Sequence, residues 1–143
     1  GSNVFLSFGE IDCRPDEGFI PASIKLNRSI EELISDTLND YFSWFEKQNK
    51  NKKNNLFFFN VPAPCYNNKY SSTINYKVAN TVKLFNLSME RIMSDNYFNI
   101  IDVFKFTASN DGFSNSYFHI DNRHLSSDAI PEIEKQINNE NGK

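Results

Sequence analysis

Three short apolar runs, separated by amphipathic segments, constrain the fold of this chain more than any other feature. The runs span residues 4–8, 56–61 and 100–104, a length and composition typical of buried strands. After each run, apolar residues recur at three- and four-residue steps, which is typical of helices with one buried face. This order of strand and helix, repeated three times, predicts an α/β fold with a parallel sheet and right-handed crossovers.

Three amphipathic helices are predicted after these strands. Ser29 and Glu32 have the spacing of a capping box, so the first helix is expected to begin at residue 30 and to extend to about residue 45. The second is expected over residues 78–92 and the third over residues 127–139. The other segments are predicted to be loops: the one containing Pro15, Gly18 and Pro21, a basic connector at 47–55, residues 66–75, and a long polar stretch from 107 to 123.

Length, charge and cysteine content exclude several classes of protein. The 143 residues are expected to form one α/β domain over residues 3–143, preceded by an expression scar at residues 1–2. A net charge of -3 argues against nucleic-acid binding, which needs clustered cationic charge. No run approaches the roughly 20 apolar residues of a membrane span, and two cysteines cannot build a disulfide framework. We therefore expect a cytoplasmic protein that binds neither nucleic acid nor membrane.

A group of charged residues directly follows the first predicted strand. In parallel sheets, ligands bind beyond the carboxyl ends of the strands. Gly9 permits a sharp turn there, and Glu10, Asp12 and Arg14 place three charges beside it. The group either belongs to a functional site or forms a solvated turn in which Arg14 pairs with a neighbouring carboxylate.

Both histidines of the chain, His119 and His124, lie in the last loop. Asp121 precedes His124 by three residues, which is close enough for the two side chains to serve one site. In a catalytic triad the aspartate orients the imidazole, and the histidine accepts the proton of the nucleophile. The alternative is a surface loop in which Asp121 caps a turn.

Together these two clusters resemble the SGNH, or GDSL-like, hydrolase family. Residues 7–14 (Ser-Phe-Gly-Glu-Ile-Asp-Cys-Arg) resemble its third block, Gly-x-Asn-Asp, and residues 121–126 (Asp-Asn-Arg-His-Leu-Ser) resemble its last block, Asp-x-x-His. The resemblance covers nearly the whole chain but only the second half of the family. It implies a three-layer, flavodoxin-like parallel sheet with flanking helices, here without the first two strands. It also implies ester hydrolysis with His124 as general base and Asp121 as its orienting partner.

The sequence departs from the family in two respects. Ile11 stands where the family has an oxyanion-stabilising asparagine, and the blocks with the nucleophilic serine and an oxyanion-hole glycine are absent. Cys13, at the carboxyl end of the first strand, is a weaker candidate nucleophile for a Cys-His-Asp hydrolase, and Cys65, after the second strand, is another. His119, Asp121 and His124 lack the motif context of a defined metal site, so neither a metal nor a cofactor is expected.

Two functions remain open at this point. The first is an esterase or O-acyl (acetyl) esterase that acts on a small-molecule or glycan ester, such as a surface polysaccharide, with the nucleophile upstream of this chain. The second is a non-catalytic binding or assembly module on the same half-fold. In both cases the first strand would be an apolar edge of the sheet, and unprotected edges recruit other chains. We therefore expect that the chain forms a homodimer through this edge or covers it.

Overall fold

The computed structural model describes residues 1–51, 53–94 and 98–141. The elements follow one another as three units of strand and helix. In chain order they are β1 (Asn3–Ser7), a single-turn 3-10 helix (Ile11–Cys13), α1 (Phe19–Leu26), α2 (Ile30–Gln48), β2 (Asn55–Phe59), α3 (Ser72–Ser94), β3 (Asn99–Ile101), α4 (Val103–Thr107) and α5 (Ala129–Asn141).

The strands form one parallel sheet in the order β1-β2-β3. Asn3 pairs with Asn55 at the beginning of β1, and Ser7 pairs with Phe59 at its end. Phe59 in turn pairs with Ile101 of β3. All three strands therefore end at the same edge of the sheet, and the predicted α/β class with a parallel sheet is confirmed.

Helices pack on both faces of the sheet and complete the three-layer, flavodoxin-like arrangement. On one face α2 and α3 cover the sheet, and their buried side chains surround Phe58 and Phe85. On the other face α5 packs against β3, where Ile133 and Ile137 contact a cluster around Phe57. Phe57, Phe58 and Phe85 are all at most 1% exposed. The phenylalanine-rich second strand thus places one aromatic ring in the core of each face of the sheet.

The prediction that the first apolar run forms a buried strand is wrong, because β1 is at most half-buried along its length. Val4 and Leu6 are half-buried under the helices of the first face, whereas Phe5 on the opposite face is 45% exposed. Phe5 stacks on Phe57 at a centroid distance of 5.1 Å. The cause is position, because β1 lies at the edge of the sheet and α5 packs at the other side of that face, against β3.

Two segments that were predicted otherwise are helical. Pro21 was expected in a loop but is the third residue of α1, where a proline is tolerated because the first amides of a helix have no intrahelical partner. The strand predicted over residues 100–104 ends at Ile101. There the Asp102 side chain accepts a hydrogen bond from the Lys105 amide at 3.0 Å and caps α4.

The helix α2 begins where its capping residues predict, whereas α3 begins earlier than predicted. Ser29 Oγ accepts a hydrogen bond from the Glu32 amide at 3.1 Å, so α2 begins at residue 30 as expected. The Glu32 carboxylate pairs with Arg28 at 3.4 Å, which leaves the capping box half formed. The helix α3 begins at Ser72, within the predicted loop, and α2 continues to Gln48, within the predicted basic connector.

Two further expectations concern the basic connector and membrane binding. Lys52 of the basic connector lies outside the described residues. None of the described helices combines the length and the apolar character that crossing a bilayer requires.

Candidate functional site

The chain turns sharply after β1 at Gly9, which has a φ of +101°. A Cβ atom at this position would lie 2.5 Å from the ring of Phe85 on α3. Only glycine combines this backbone conformation with so close an approach. The turn is therefore held against α3, and it directs the charged residues that follow towards the carboxyl end of the sheet.

Glu10 and Arg14 form a tight pair within this turn. The distance from Arg14 Nη2 to Glu10 Oε2 is 2.7 Å, and Arg14 Nε donates to both carboxylate oxygens at 3.1 and 3.2 Å. The hydrogen bonds that Arg14 donates to Glu10 raise the pKa of Arg14. Asp12 is half-buried, and burial, followed by the charges of Glu10 and Glu17, raises the pKa of its carboxyl group. The pairing expected for a solvated turn is therefore present at this sheet end.

The two cysteines differ in their accessibility. Cys13 is 2% exposed, and burial raises the pKa of its thiol far above the usual range. Cys65 is half-buried, with its Sγ 3.8 Å from the carbonyl oxygen of Asp121, and burial also raises its pKa. Because the thiolate is the nucleophilic form of cysteine, these environments disfavour both residues as nucleophiles.

Residues 118–126 form a short hairpin, which we call the histidine hairpin. Its two arms are joined by hydrogen bonds from the Ile120 amide to the His124 carbonyl at 3.0 Å and from the Ser126 amide to the Phe118 carbonyl at 2.6 Å. At the tip, Asp121 Oδ1 accepts hydrogen bonds from the backbone amides of residues 123 and 124, both at 2.7 Å. The backbone of the hairpin thus fixes the position of the Asp121 carboxylate independently of any side-chain contact.

Asp121 also binds the imidazole of His124. The distance between Asp121 Oδ2 and His124 Nδ1 is 2.7 Å, and the His124 side chain is 71% exposed. The two backbone amides and then the imidazole lower the pKa of Asp121 to about 2. Because an ionised carboxylate has no proton to donate, Nδ1 of His124 must carry the hydrogen of this bond. In neutral His124, Nε2 is therefore a proton acceptor.

The second histidine occupies a different environment. His119 is half-buried, with its Nδ1 2.7 Å from Ser114 Oγ. Burial lowers the pKa of His119, which favours the neutral ring at pH 7. No group of three or more histidine, cysteine or acidic side chains in the described ranges is arranged to hold a metal ion.

A cleft with a cavity volume of about 80 Å³ lies between the turn after β1 and the histidine hairpin. Glu10 and Arg14 line one part of it, and His119 and Arg123 line another. Its floor consists of residues 61–65, which follow β2, and of the first turns of α3. Glu10 and Arg14 of the predicted turn thus share a cleft with the hairpin, but Gly9, Asp12, Asp121 and His124 are not among the residues that line it.

His119 and its neighbours are the part of this site that the sequence reasoning missed. His119 was considered only as a weak metal ligand, and Asn122 and Arg123 only as spacer residues of the Asp-x-x-His pattern. The available signal was the position of the first histidine in the same polar loop, five residues before the second.

Comparison with known proteins gives one structural likeness. No protein-family model matches the chain, and no curated protein matches it. A solved chain from Streptococcus pneumonia, described as a "putative platelet activating factor", superposes with a TM-score of 0.68 at 13% sequence identity. The match covers 97% of this chain and 59% of that chain, so this chain spans about three fifths of its neighbour's length. At this level of identity the likeness shows a shared fold.

Proposed function

We propose that this chain is part of an SGNH-like acyl-ester hydrolase, in which His124 is the general base and Asp121 its orienting partner. The observation that carries the proposal is the 2.7 Å contact between Asp121 Oδ2 and His124 Nδ1 at the carboxyl end of a parallel sheet. The structural neighbour, described as a "putative platelet activating factor", shares the fold over 97% of this chain.

The geometry of this pair suits proton transfer. Asp121 stays ionised through its backbone hydrogen bonds, so it can stabilise the imidazolium that forms when His124 accepts a proton. Nε2 of the exposed His124 would take the proton of an attacking hydroxyl and then return it to the leaving alcohol. We infer that the hydroxyl belongs to a serine outside these 143 residues, since no hydroxyl of the described residues forms a hydrogen bond with the His124 side chain and burial raises the pKa of both cysteines.

The oxyanion requires donors other than the family's asparagine. Ile11 stands at that position and is 55% exposed, and its apolar side chain cannot donate a hydrogen bond. Glu10 is no substitute, because it is the acceptor in its pair with Arg14. We therefore assign oxyanion stabilisation to backbone amides, and the preferred substrate class to small-molecule or glycan esters, including acetylated polysaccharides.

A second candidate function is a binding or assembly module without turnover. The specific observation in its favour is that no hydroxyl or thiol in the described residues forms a hydrogen bond with the His124 side chain. In that case the hairpin would serve recognition, and His124 would have no role in bond cleavage.

The deciding experiment measures p-nitrophenyl acetate hydrolysis by the full-length gene product. We expect that His124→Ala and Asp121→Asn each lower kcat by about 10³-fold or more, as for members of other triads. The matched control is Asp128→Asn, which removes an exposed carboxylate from the same loop and should leave kcat unchanged. If the parent protein shows no hydrolysis, the binding module is the correct function. If the parent hydrolyses the ester and His124→Ala retains the parent kcat, His124 is not the general base.

A further inference from the structure

The cleft has two walls of different character, and neither includes the His124–Asp121 pair. The apolar wall comes from the segment after β2 and from α3, and it includes Val61, Pro62, Ala63, Pro64, Ile74 and Val78. The polar wall comes from the histidine hairpin, through His119, Asn122 and Arg123. A ligand of this cleft must therefore present a hydrocarbon side and a side that forms hydrogen bonds.

The charged side chains that line the cleft differ in whether they form an ion pair in the described part of the chain. Glu10 neutralises Arg14 at 2.7 Å, and the hydroxyl of Tyr70 donates to Asp16 at 2.6 Å. The guanidinium of Arg123 makes no ion pair and no side-chain hydrogen bond within the described ranges. Among the charged side chains that line the cleft, Arg123 is therefore the one available to a ligand, and it favours a single negative charge.

The remaining polar groups of the hairpin wall add hydrogen-bonding capacity. Both oxygens of Asp121 are already bonded within the hairpin, so this carboxylate does not compete for Arg123. His119 uses Nδ1 for Ser114, and its Nε2 has no hydrogen-bond partner in the part of the chain that the structure describes. The amide of Asn122 is also exposed and makes no side-chain hydrogen bond there. Arg123 and Asn122 thus offer donors on the same wall.

The size of the cleft limits its ligand. One water-sized group needs about 10–15 Å³ of such volume, so a cavity of about 80 Å³ accepts about five to eight non-hydrogen atoms. A long acyl chain exceeds this space, whereas a carboxylate with about three to six carbons fills it. A carboxylate has acceptor oxygens at one end and hydrocarbon at the other, which matches the two walls.

We propose that this cleft binds a short-chain carboxylate, with its oxygens on Arg123 and Asn122 and its hydrocarbon against Val61 and Val78. The identification of this group as the acyl product of an ester rests on the proposed function. A phosphate dianion fits less well, because its second charge would lie beside the carboxylate of Glu10 without a further free cation.

The test is a titration of the ¹⁵N-labelled 143-residue chain with sodium butyrate, followed by amide chemical shifts. We expect saturable shifts at residues 61–65 and 119–123. In Arg123→Ala the affinity should fall about three- to tenfold, because a charge-assisted hydrogen bond is lost at a partly solvated site. Arg91→Ala removes an exposed arginine at the other end of α3, and butyrate affinity should stay unchanged.

Two further arms address charge and size. Neutral butyramide should bind more weakly than butyrate, and added NaCl should weaken butyrate but not butyramide. Ile74→Trp places a large ring at the edge of the cleft, where Ile74 is 39% exposed, and should abolish the shifts while the remaining spectrum stays folded. Octanoate should bind no more tightly than butyrate.

Several results would overturn the proposal. These are the absence of saturable shifts with butyrate, equal affinity in Arg123→Ala, or binding of inorganic phosphate to the same residues as tightly as butyrate. The outcome is separable from that of ester hydrolysis, because His124 does not line the cleft and His124→Ala should bind butyrate like the parent chain. Butyrate binding without ester hydrolysis would support the carboxylate subsite and contradict the proposed hydrolase. Ester hydrolysis without butyrate binding would support the hydrolase and contradict the subsite.

Discussion

Asp121 holds two kinds of partner with two different oxygens. Oδ1 accepts hydrogen bonds from the backbone amides of Arg123 and His124, and Oδ2 accepts one from Nδ1 of His124. All three distances are 2.7 Å. The capped turn and the oriented histidine were opposing interpretations of the same three-residue spacing. In the structure the cap is what positions the carboxylate for the imidazole.

This arrangement predicts how the hairpin responds to acid. The pKa of Asp121 falls from 3.8 to about 2 on folding, so its hydrogen bonds contribute stability that is complete above about pH 4 and is lost as the pH falls through 2. A ¹³C NMR titration of the carboxyl carbon should therefore give a midpoint near 2.

The control for this titration is His124→Ala. Its midpoint should rise, yet stay below 3.8, because the two backbone amides are the larger causes of the shift and remain in place. A parent midpoint at the ordinary aspartate value would contradict the structure of the hairpin.

Gly9 offers a second test at the scale of one residue. Gly9→Ala combines a left-handed φ with a clash against the Phe85 ring, and it should lower the free energy of unfolding by about 2–4 kcal/mol. Gly112→Ala meets a comparable φ of +86°, but the nearest atoms are the flexible end of Lys83. It should therefore cost less, about 1–2 kcal/mol. Urea denaturation measures both values, and equal losses would argue against a tight turn at Gly9.

Residue types and spacing predicted the pairing of Asp121 with His124 but not the environment of the candidate site. Asp121 and His124 were identifiable because a three-residue spacing is local, and a local pattern needs no knowledge of the fold. The burial of Cys13 and the place of His119 in the wall of the cleft depend on how distant segments pack. No periodicity in the sequence contains that information.

At the scale of elements, the cap of α2 gives a quantitative prediction. Ser29→Ala removes the side-chain acceptor of the Glu32 amide and should destabilise the protein by about 1 kcal/mol. Ser43→Ala changes an exposed serine in the interior of the same helix, where alanine is the better helix former, so stability should stay level or rise slightly. Thermal unfolding of the two variants checks this difference, and equal effects would contradict the cap.

The helices α1 and α4 were not predicted from the sequence, and both omissions have the same physical cause. Pro21 and Gly18 are helix breakers in a helix interior, but at the beginning of α1 they occupy positions where a missing amide or a left-handed φ is tolerated. Asp102 interrupts an apolar run with one polar residue, and its capping bond converts the end of that run into α4. In both cases a residue at the boundary of an element, and not the apolar composition around it, determines where the helix begins.

At the scale of the whole molecule, the alternation of apolar runs and amphipathic helices predicted the layers correctly. It could not predict that one face is covered unevenly. The helix α5 packs against β3, which leaves Phe5 on β1 45% exposed beside an open sheet edge. The resulting surface combines an apolar patch with unpaired backbone groups, a combination that favours pairing with another strand.

The last prediction concerns this edge. The strand β1 carries no charged residue, and in an antiparallel pairing of two copies centred on Phe5, Asn3 would face Ser7 and Val4 would face Leu6. Such a contact is self-complementary and closes about a two-fold axis. We therefore predict that the 143-residue chain associates reversibly, so that its mass by light scattering rises with concentration from 16.6 kDa toward twice that value.

Phe5→Lys tests whether β1 forms the contact. It places like charges opposite each other at the centre of the pairing, so the chain should remain monomeric at every concentration. Ile24→Lys adds the same charge at a 73% exposed position on α1 and should associate like the parent chain. Circular dichroism must show that both variants are folded, because Phe5 also stacks on Phe57. A parent chain that stays at 16.6 kDa throughout, or a Phe5→Lys variant that still associates, would exclude β1 as the contact.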